Sequence, residues 1–364
     1  MILQSLTLNH FRNYTSCTVS LSDSVNIFVG ENAQGKTNLL ESMVFISTTR
    51  SHRKCEDIDM VEEGEPVCRV SVKLNEDGIS TELSGLISKE GKRLLVQKQP
   101  VKKSSEFVGK LNAILFSPSD FELFDGSPKV RRRFMDMEIG KVKPNYVSYL
   151  NSYQKILKER NAVLKEDTFD IQYLEVLTDR LCSISLKIQK DRQEFMDYLN
   201  RKLSHSYEII SSEPLPLQLK YYSCVEDGDD EIKLKEKYEK FKERDIFLKQ
   251  TNIGIHKDDF EFLLNQKEIN SYASQGQKRM VLLSLKTSLI DYIKHISNRD
   301  AVLLLDDVLS ELDETRQKNL ISLIPDHIQT ILTTTNIHEV LLNLPKGARV
   351  FEISDGRVIS VREV

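Results

Sequence analysis

Eight consecutive residues, Gly30-Glu31-Asn32-Ala33-Gln34-Gly35-Lys36-Thr37, fit the pattern G-x-x-x-x-G-K-[ST] in full. Each residue type has a chemical reason. Glycine at 30 and 35 permits backbone conformations and close approaches that a Cβ would obstruct. Successive N–H groups then turn inward as an anion nest at a helix N-terminus. Lys36 brings positive charge to the outer phosphates of a nucleotide, and the Thr37 hydroxyl can ligate Mg²⁺. Residues 30–37 are the expected nucleotide cradle, with Lys36 as a catalytic group.

A second cluster supplies the acidic half of such a site. Ala301-Val302-Leu303-Leu304-Leu305-Asp306-Asp307 reads as a central parallel strand that delivers carboxylates to its C-terminal edge, where ligands sit in open α/β sheets. Asp306 is the expected Mg²⁺ ligand beside Thr37. Asp307 would orient or deprotonate an attacking water. An aspartate closing a strand can also cap the next helix, but the P-loop favours the site reading.

The third piece is Ser274-Gln275-Gly276-Gln277, which opens a helix ahead of the acidic strand. Ser274 suits an N-cap, and Gly276 lets another surface come close. A helix N-terminus is a second phosphate-binding device. One nucleotide cannot easily use two such devices from one chain. Ser274, Gly276 and Gln277 are therefore expected to serve a nucleotide held by a partner.

The elements that position these groups follow from hydrophobic patterning. Ile2–Leu8 alternates like a half-buried strand, and Val25–Val29 runs straight into the P-loop and a helix over Thr37 to about Phe45. Residues 67–100 alternate again, with turn signals at 75–78 and 89–92, and predict antiparallel hairpins. From about Tyr146 the period becomes helical. Leu174, Leu177, Leu181, Ile184, Ile188, Phe195, Leu199 and Leu203 keep a three-four spacing broken near Asp191-Arg192, suiting a packed helical arm or ordinary core helices. The acidic run Glu226–Glu231 reads as a solvated loop. The fold expected is α/β: a mixed sheet around a P-loop with antiparallel hairpins, residues 1–138 and 250–364, carrying a mainly helical inserted lobe, residues 139–249.

In this order, the P-loop, Ser-Gln-Gly-Gln, Asp306-Asp307 and Ser310-Glu311-Leu312-Asp313 resemble ABC-type ATPase heads of the SMC-like branch. Within it the chain looks most like the RecF family. Asn9-His10-Phe11-Arg12-Asn13-Tyr14, Arg50-Ser51-His52-Arg53, Phe116–Asp120, Ser127-Pro128 with Arg131–Asp136, and Gly254–Asp259 match family blocks along nearly the whole chain. Between Thr37 and Asp306 there is room for a short lobe, not for long coiled-coil arms. The resemblance implies an ATP-induced head-to-tail dimer in which each nucleotide is capped by the opposing Ser274–Gln277 segment. It implies that Arg12 and Asn13 approach the nucleotide and that Asp313 lies near the dimer seam. It also implies DNA binding, a RecR-like mediator partner, recombinase loading at gaps and a link to the SOS response. Three departures favour a slow ATPase used as a dimerisation switch. Asp307 stands where such heads usually carry Glu, no switch histidine follows Ile331–Thr335 (His338 sits further on), and no Q-loop glutamine appears near Phe116–Asp120.

The 364 residues are 40% hydrophobic and 29% charged, an ordinary soluble balance. No apolar run approaches the ~18 residues of a membrane span. The five cysteines are scattered without a Cys-x-x-Cys pair, which fits a reducing cytoplasm. With 51 Lys and Arg against 55 Asp and Glu, net charge does not announce a nucleic-acid binder, so DNA contact must come from local patches. Candidates are Arg53, Lys54, Lys92, Arg93, Lys102 and Lys103. Alternation along the hairpins would gather several on one face, giving sequence-independent phosphate contact to double-stranded DNA or a single/double-strand junction. An alternative is an ABC-type subunit serving another partner such as a transporter.

Overall fold

The computed structural model describes every residue except Lys54, Phe169, Asp227, Ser310, Glu311 and 337–346. Chain order begins with β1 (Ile2–Phe11), β2 (Tyr14–Ser20), β3 (Val25–Val29) and α1 (Lys36–Thr48). Strands β4 (Val67–Glu76), β5 (Ile79–Ser88), β6 (Gly91–Val96), β7 (Gln99–Pro100) and β8 (Ala113–Phe116) follow. Next come α2 (Glu122–Asp125), α3 (Pro128–Val142), α4 (Pro144–Val163), α5 (Ile171–Ser211), β9 (Leu217–Tyr222) and α6 (Glu231–Leu248). The last part holds β10 (Asp259–Leu264), β11 (Lys267–Glu268), α7 (Ile269–Tyr272), α8 (Gln275–Ser297), β12 (Val302–Asp306) and α9 (Glu314–Leu323). It ends with β13 (Thr330–Thr334), β14 (Arg349–Ser354) and β15 (Arg357–Glu363).

The chain divides into two compact units, residues 1–121, 203–215 and 274–364, and residues 122–202 and 216–273. In the first unit, one sheet runs β15-β14-β3-β13-β12-β8, parallel except for the β14–β15 hairpin. All five residues of β12 and of β13 are buried, as near-continuous apolar strands covered on both faces require. A second, antiparallel sheet runs β2-β1-β4-β5-β6-β7. Leu6, Leu8, Val70, Val72, Leu83 and Ile87 alternate inward there and join Leu39, Met43 and Phe45 of α1 in one core. This core fixes α1, and with it the P-loop, between the sheets.

The second unit holds most of the helices but also a three-stranded sheet, β11-β10-β9. Here the expected boundaries move. Residues 122–138 and 250–273 belong to this unit, because Phe124 packs on Phe262 and Phe134 on Phe260, while Arg131 grips Asp259 through two hydrogen bonds of 2.7 and 2.8 Å. Residues 203–215 belong to the first unit, where Ser206 lies 3.5 Å from Ser288 and Asn319 donates to Ser212 at 3.2 Å.

The interruption in the helical spacing at Asp191-Arg192 is not a helix break, since α5 is continuous. Arg192 occupies a core position there. Its guanidinium donates to Asp258 (2.7 Å), Asp136 (2.9 Å), Tyr146 (3.0 Å) and the Ile255 carbonyl (2.9 Å). A charge enters a core only when its donors are satisfied in this way. The arginines of the 131–133 block have a similar bracing part: Arg131 also donates to the Gly126 carbonyl and Arg132 to that of Asp258. The acidic run is only partly a loop, because Asp230 caps α6 and Glu231 begins it.

Candidate nucleotide site

The P-loop leaves β3 and closes on α1, with Gly35 as the helix N-cap. Positive φ at Ala33 (64°) and Gly35 (111°) curls the loop. At Gly30 the fold demands glycine, because a Cβ would lie 2.2 Å from the carbonyl oxygen of Ile353. Lys36 Nζ donates to the Gly30 and Glu31 carbonyls at 2.6 and 2.7 Å, so its ammonium arches over the loop. Burial lowers its pKa, opposed by the charges of Asp307 and Asp306.

One strand, β13, separates β3 from β12, yet the two halves of the predicted site meet. Thr37 Oγ1 donates to Asp306 Oδ1 at 2.9 Å. Thr333 of β13 donates to the same oxygen at 2.8 Å and accepts from the Asp307 amide at 2.9 Å. Burial raises the Asp306 pKa, with these two hydroxyls and Arg53 pulling the other way. A hydroxyl and a carboxylate oxygen side by side form the hard-oxygen pair that suits Mg²⁺, which takes few protein ligands and fills its shell with phosphate and water. Asp307, in a left-handed conformation (φ 53°), turns the chain out of the sheet at the same edge.

Around the P-loop stands a polar shell. Asn13 donates to the Gln34 carbonyl (3.3 Å) and accepts from Asn38 (2.8 Å), whose own carbonyl takes a bond from Arg53 (3.0 Å). Arg12 lies one step away. Its guanidinium makes a two-point pair with Glu41 of α1 at 2.9 and 2.6 Å and donates to the Asp59 carbonyl at 2.6 Å. Burial alone would raise the Glu41 pKa, but Arg12, Ser51 and Arg53 more than reverse it and hold the carboxyl below its usual range. Thus, of the two residues expected at the nucleotide, Asn13 touches the P-loop and Arg12 is engaged with the P-loop helix.

Ser274 caps α8 reciprocally: Gln277 N donates to Ser274 Oγ, and Ser274 N to Gln277 Oε1, both at 3.2 Å. Ser274, Gln275 and Gly276 are exposed, and a Cβ on Gly276 would meet only Ser274 Oγ, at 3.8 Å. These hydrogen bonds between Ser274 and Gln277 stay within α8 and its cap. Asp313 caps α9 by accepting from the Arg316 amide. Ser310, Glu311 and His338 lie outside the described residues.

The basic candidates do not form one stripe. Lys92 points to the core side of its strand, as Leu94 does, where it donates to the Thr49 carbonyl (2.7 Å) and pairs with Asp57 (2.9 Å). Its neighbour Arg93 projects from the opposite face, because successive strand residues alternate. The two therefore lie on opposite faces of β6. Arg93, Lys102 and Lys103 are exposed, Arg53 belongs to the polar shell beside α1, and Lys54 lies outside the described residues.

Two participants have no place in the sequence reading, Glu41 and Thr333, and Tyr14 enters it only within the Asn9–Tyr14 block. Glu41 had a signal, a lone acid within the apolar run Leu39–Ile46, which is tolerable only if paired. Thr333 had none, since threonine in a strand is ordinary.

A family model described as the RecF/RecN/SMC N terminal domain matches residues 2–357. A curated relative from Streptococcus gordonii, "DNA replication and repair protein RecF", is 40% identical over 98% of this chain and 100% of its own length. Another of the same description, from Ligilactobacillus salivarius, is 38% identical over 98% of this chain and 97% of its own. Among solved structures, the recombination mediator protein RecF-ATP in the RecFOR pathway aligns with a TM-score of 0.90 at 30% identity, covering 100% of this chain and 97% of that one. An Smc head bound to the C-winged helix domain of ScpA shares the fold at 15% identity, with a TM-score of 0.57 over 100% of this chain and 98% of that one.

Proposed function

This chain belongs to the RecF branch of the RecF/RecN/SMC N-terminal domain family, and on that premise we propose that it is an ATP-dependent DNA-binding protein of recombinational repair and replication. The observation that carries the ATP reading is the 2.9 Å contact of Thr37 with Asp306, which joins the phosphate cradle to the acidic strand end. Gly35, Lys36 and Thr37 hold the phosphates, Thr37 and Asp306 hold Mg²⁺, and Asp307 orients water. Hydrolysis is slow, because the aspartate side chain reaches less far than a glutamate.

ATP acts as cement between two copies arranged head to tail. The exposed, self-capped start of α8 supports this: the Ser274 hydroxyl and the Gly276 amide face the γ-phosphate on the opposing copy, while the capping box with Gln277 holds the turn in shape. The dimer binds double-stranded DNA or a single/double-strand junction through phosphates, without base readout. Through RecO- and RecR-like partners it promotes recombinase loading at gaps, with the SOS response downstream. The replication-and-repair role of the relatives and the RecFOR pathway of the aligned RecF structures support this part. It would work in the cytoplasm; no described helix is long and apolar enough to cross a membrane.

The test is DNA binding at several salt concentrations with ATP, with ADP and without nucleotide. The reading expects tighter binding with ATP than with ADP, and affinity falling steeply with salt. Equal affinity in all three states would break the link between nucleotide and DNA.

A further inference from the structure

The crest of the P-loop is gripped from both ends of the chain. The Gln34 carbonyl accepts from the Gly356 amide at 3.1 Å and from Asn13 Nδ2 at 3.3 Å. The Gln34 side-chain oxygen accepts from the Asp355 amide at 2.6 Å. The Gly35 carbonyl accepts from the Tyr14 hydroxyl at 3.1 Å, and Tyr14 is fully buried. Asn13 and Tyr14 sit at the β1–β2 turn, and Asp355 and Gly356 form the β14–β15 turn, more than three hundred residues away.

These contacts interlock tightly enough to dictate residue type. A Cβ on Gly356 would stand 2.1 Å from the Asn13 carbonyl oxygen, and the residue has a φ of 66°. A Cβ on Gly35 would stand 2.8 to 2.9 Å from the Asn13 and Tyr14 side chains. Both turns therefore need their glycine partner to close.

The consequence lies in the peptide plane. In a trans peptide the C=O of one residue and the N–H of the next point in opposite directions. Fixing the Gln34 carbonyl outward, on Gly356 and Asn13, fixes the Gly35 N–H inward. The Gly35 carbonyl accepts the Asn38 and Leu39 amides of the first helical turn at 3.0 and 3.2 Å, and the Tyr14 hydroxyl adds a third hold on it, so the Lys36 N–H is fixed in the same way. These are amides of the phosphate nest, and preorganised donors bind an anion without the cost of ordering them.

We propose that the Asn13–Tyr14 and Asp355–Gly356 turns form a clamp that aims the Gly35 and Lys36 amides, making the last hairpin of the chain a positioning part of the nucleotide site. This rests on the P-loop holding phosphate, and it extends that reading to a segment no nucleotide motif includes. Because the clamp acts on the nest, its loss weakens ATP, ADP and bare tripolyphosphate alike.

The experiment uses the full chain with Gly356→Ala and Tyr14→Phe, measuring affinity for ATP, ADP and tripolyphosphate by calorimetry. Melting temperature without ligand is followed in parallel. Gly356→Ala is expected to lose about tenfold or more for all three ligands, and Tyr14→Phe about threefold to tenfold. Amide hydrogen exchange at 34–36 rises in both. A purely structural contribution would lower the melting temperature and leave the affinities unchanged. Should Gly356→Ala not fold, Tyr14→Phe, which loses one hydroxyl, decides. If the parent binds ATP and folded variants bind it equally well, the clamp is wrong and the phosphate cradle stands. A parent that binds none of the three ligands removes both.

Discussion

Thr333→Val removes one hydroxyl while keeping the shape of a residue that is 2% exposed. That hydroxyl does two jobs, donating to Asp306 Oδ1 at 2.8 Å and accepting from the Asp307 amide at 2.9 Å. A hydrogen bond to a charged group is worth about 1.5–3 kcal/mol net, and the half-buried Asp307 amide loses its Thr333 acceptor as well. Thr37 remains as a donor to Asp306, so the carboxylate is weakened in place, not freed. The expected loss is roughly 1.5–3 kcal/mol, about tenfold to a hundredfold in affinity for the magnesium complex of ATP. Calorimetry with magnesium and with a chelator separates this from general damage, since the loss should be concentrated in the magnesium-dependent part. The pH dependence gives a second check. Burial already raises the Asp306 pKa in the folded chain, so its ionisation costs stability as pH rises through that pKa. Without Thr333 the cost grows, and the melting difference from the parent should be full at neutral pH and shrink in acid. Parental magnesium-ATP affinity together with a pH-independent melting difference would refute the reasoning.

Further outcomes can be measured alongside. Arg192→Ala strands Asp136 and Asp258 in the second unit, and urea unfolding of that unit should show a loss of about 3–5 kcal/mol. Lys36→Arg should weaken ATP binding, read by calorimetry, because the longer, planar head does not fit an arch onto two loop carbonyls. Burial lowers His52 and His256 to about 4 in the folded chain. The unfolded chain therefore takes up protons first, and stability should fall as pH drops from about 6.5 towards 4. Replacing both histidines with glutamine should flatten that part of the melting profile.

How much of this was legible in the residues depends on range. The P-loop, the strand ending in Asp306 and the Ser274 cap are local patterns whose chemistry is written in consecutive residues, and the structure forms each of them where it was expected. The continuity of α5 was harder to read. Arg192 looks like an interruption until Asp136, Tyr146 and Asp258 arrive from three other segments to satisfy it. The domain boundaries moved for the same reason, because Phe124 and Phe134 find their aromatic partners on β10, far along the chain. Lys92 reads as a surface charge and is half-buried, on the core side of β6. Strand alternation predicts its face only once it is known which neighbours are buried, and Asp57 and the Thr49 carbonyl await it there. Thr333 carries no motif, Tyr14 belongs to a family block that does not say what its hydroxyl holds, and the grip of Gly356 on the P-loop exists only in the tertiary fold.

Cross-capping between copies is tested most directly by sedimentation of the parent and of Ser274→Arg with ATP, with ADP and without nucleotide. The parent should double in mass with ATP alone. Ser274→Arg should stay monomeric while its single copies still bind ATP with parental affinity. A Ser274→Arg protein that pairs as readily as the parent would contradict the idea that one copy's helix start closes the other's nucleotide site.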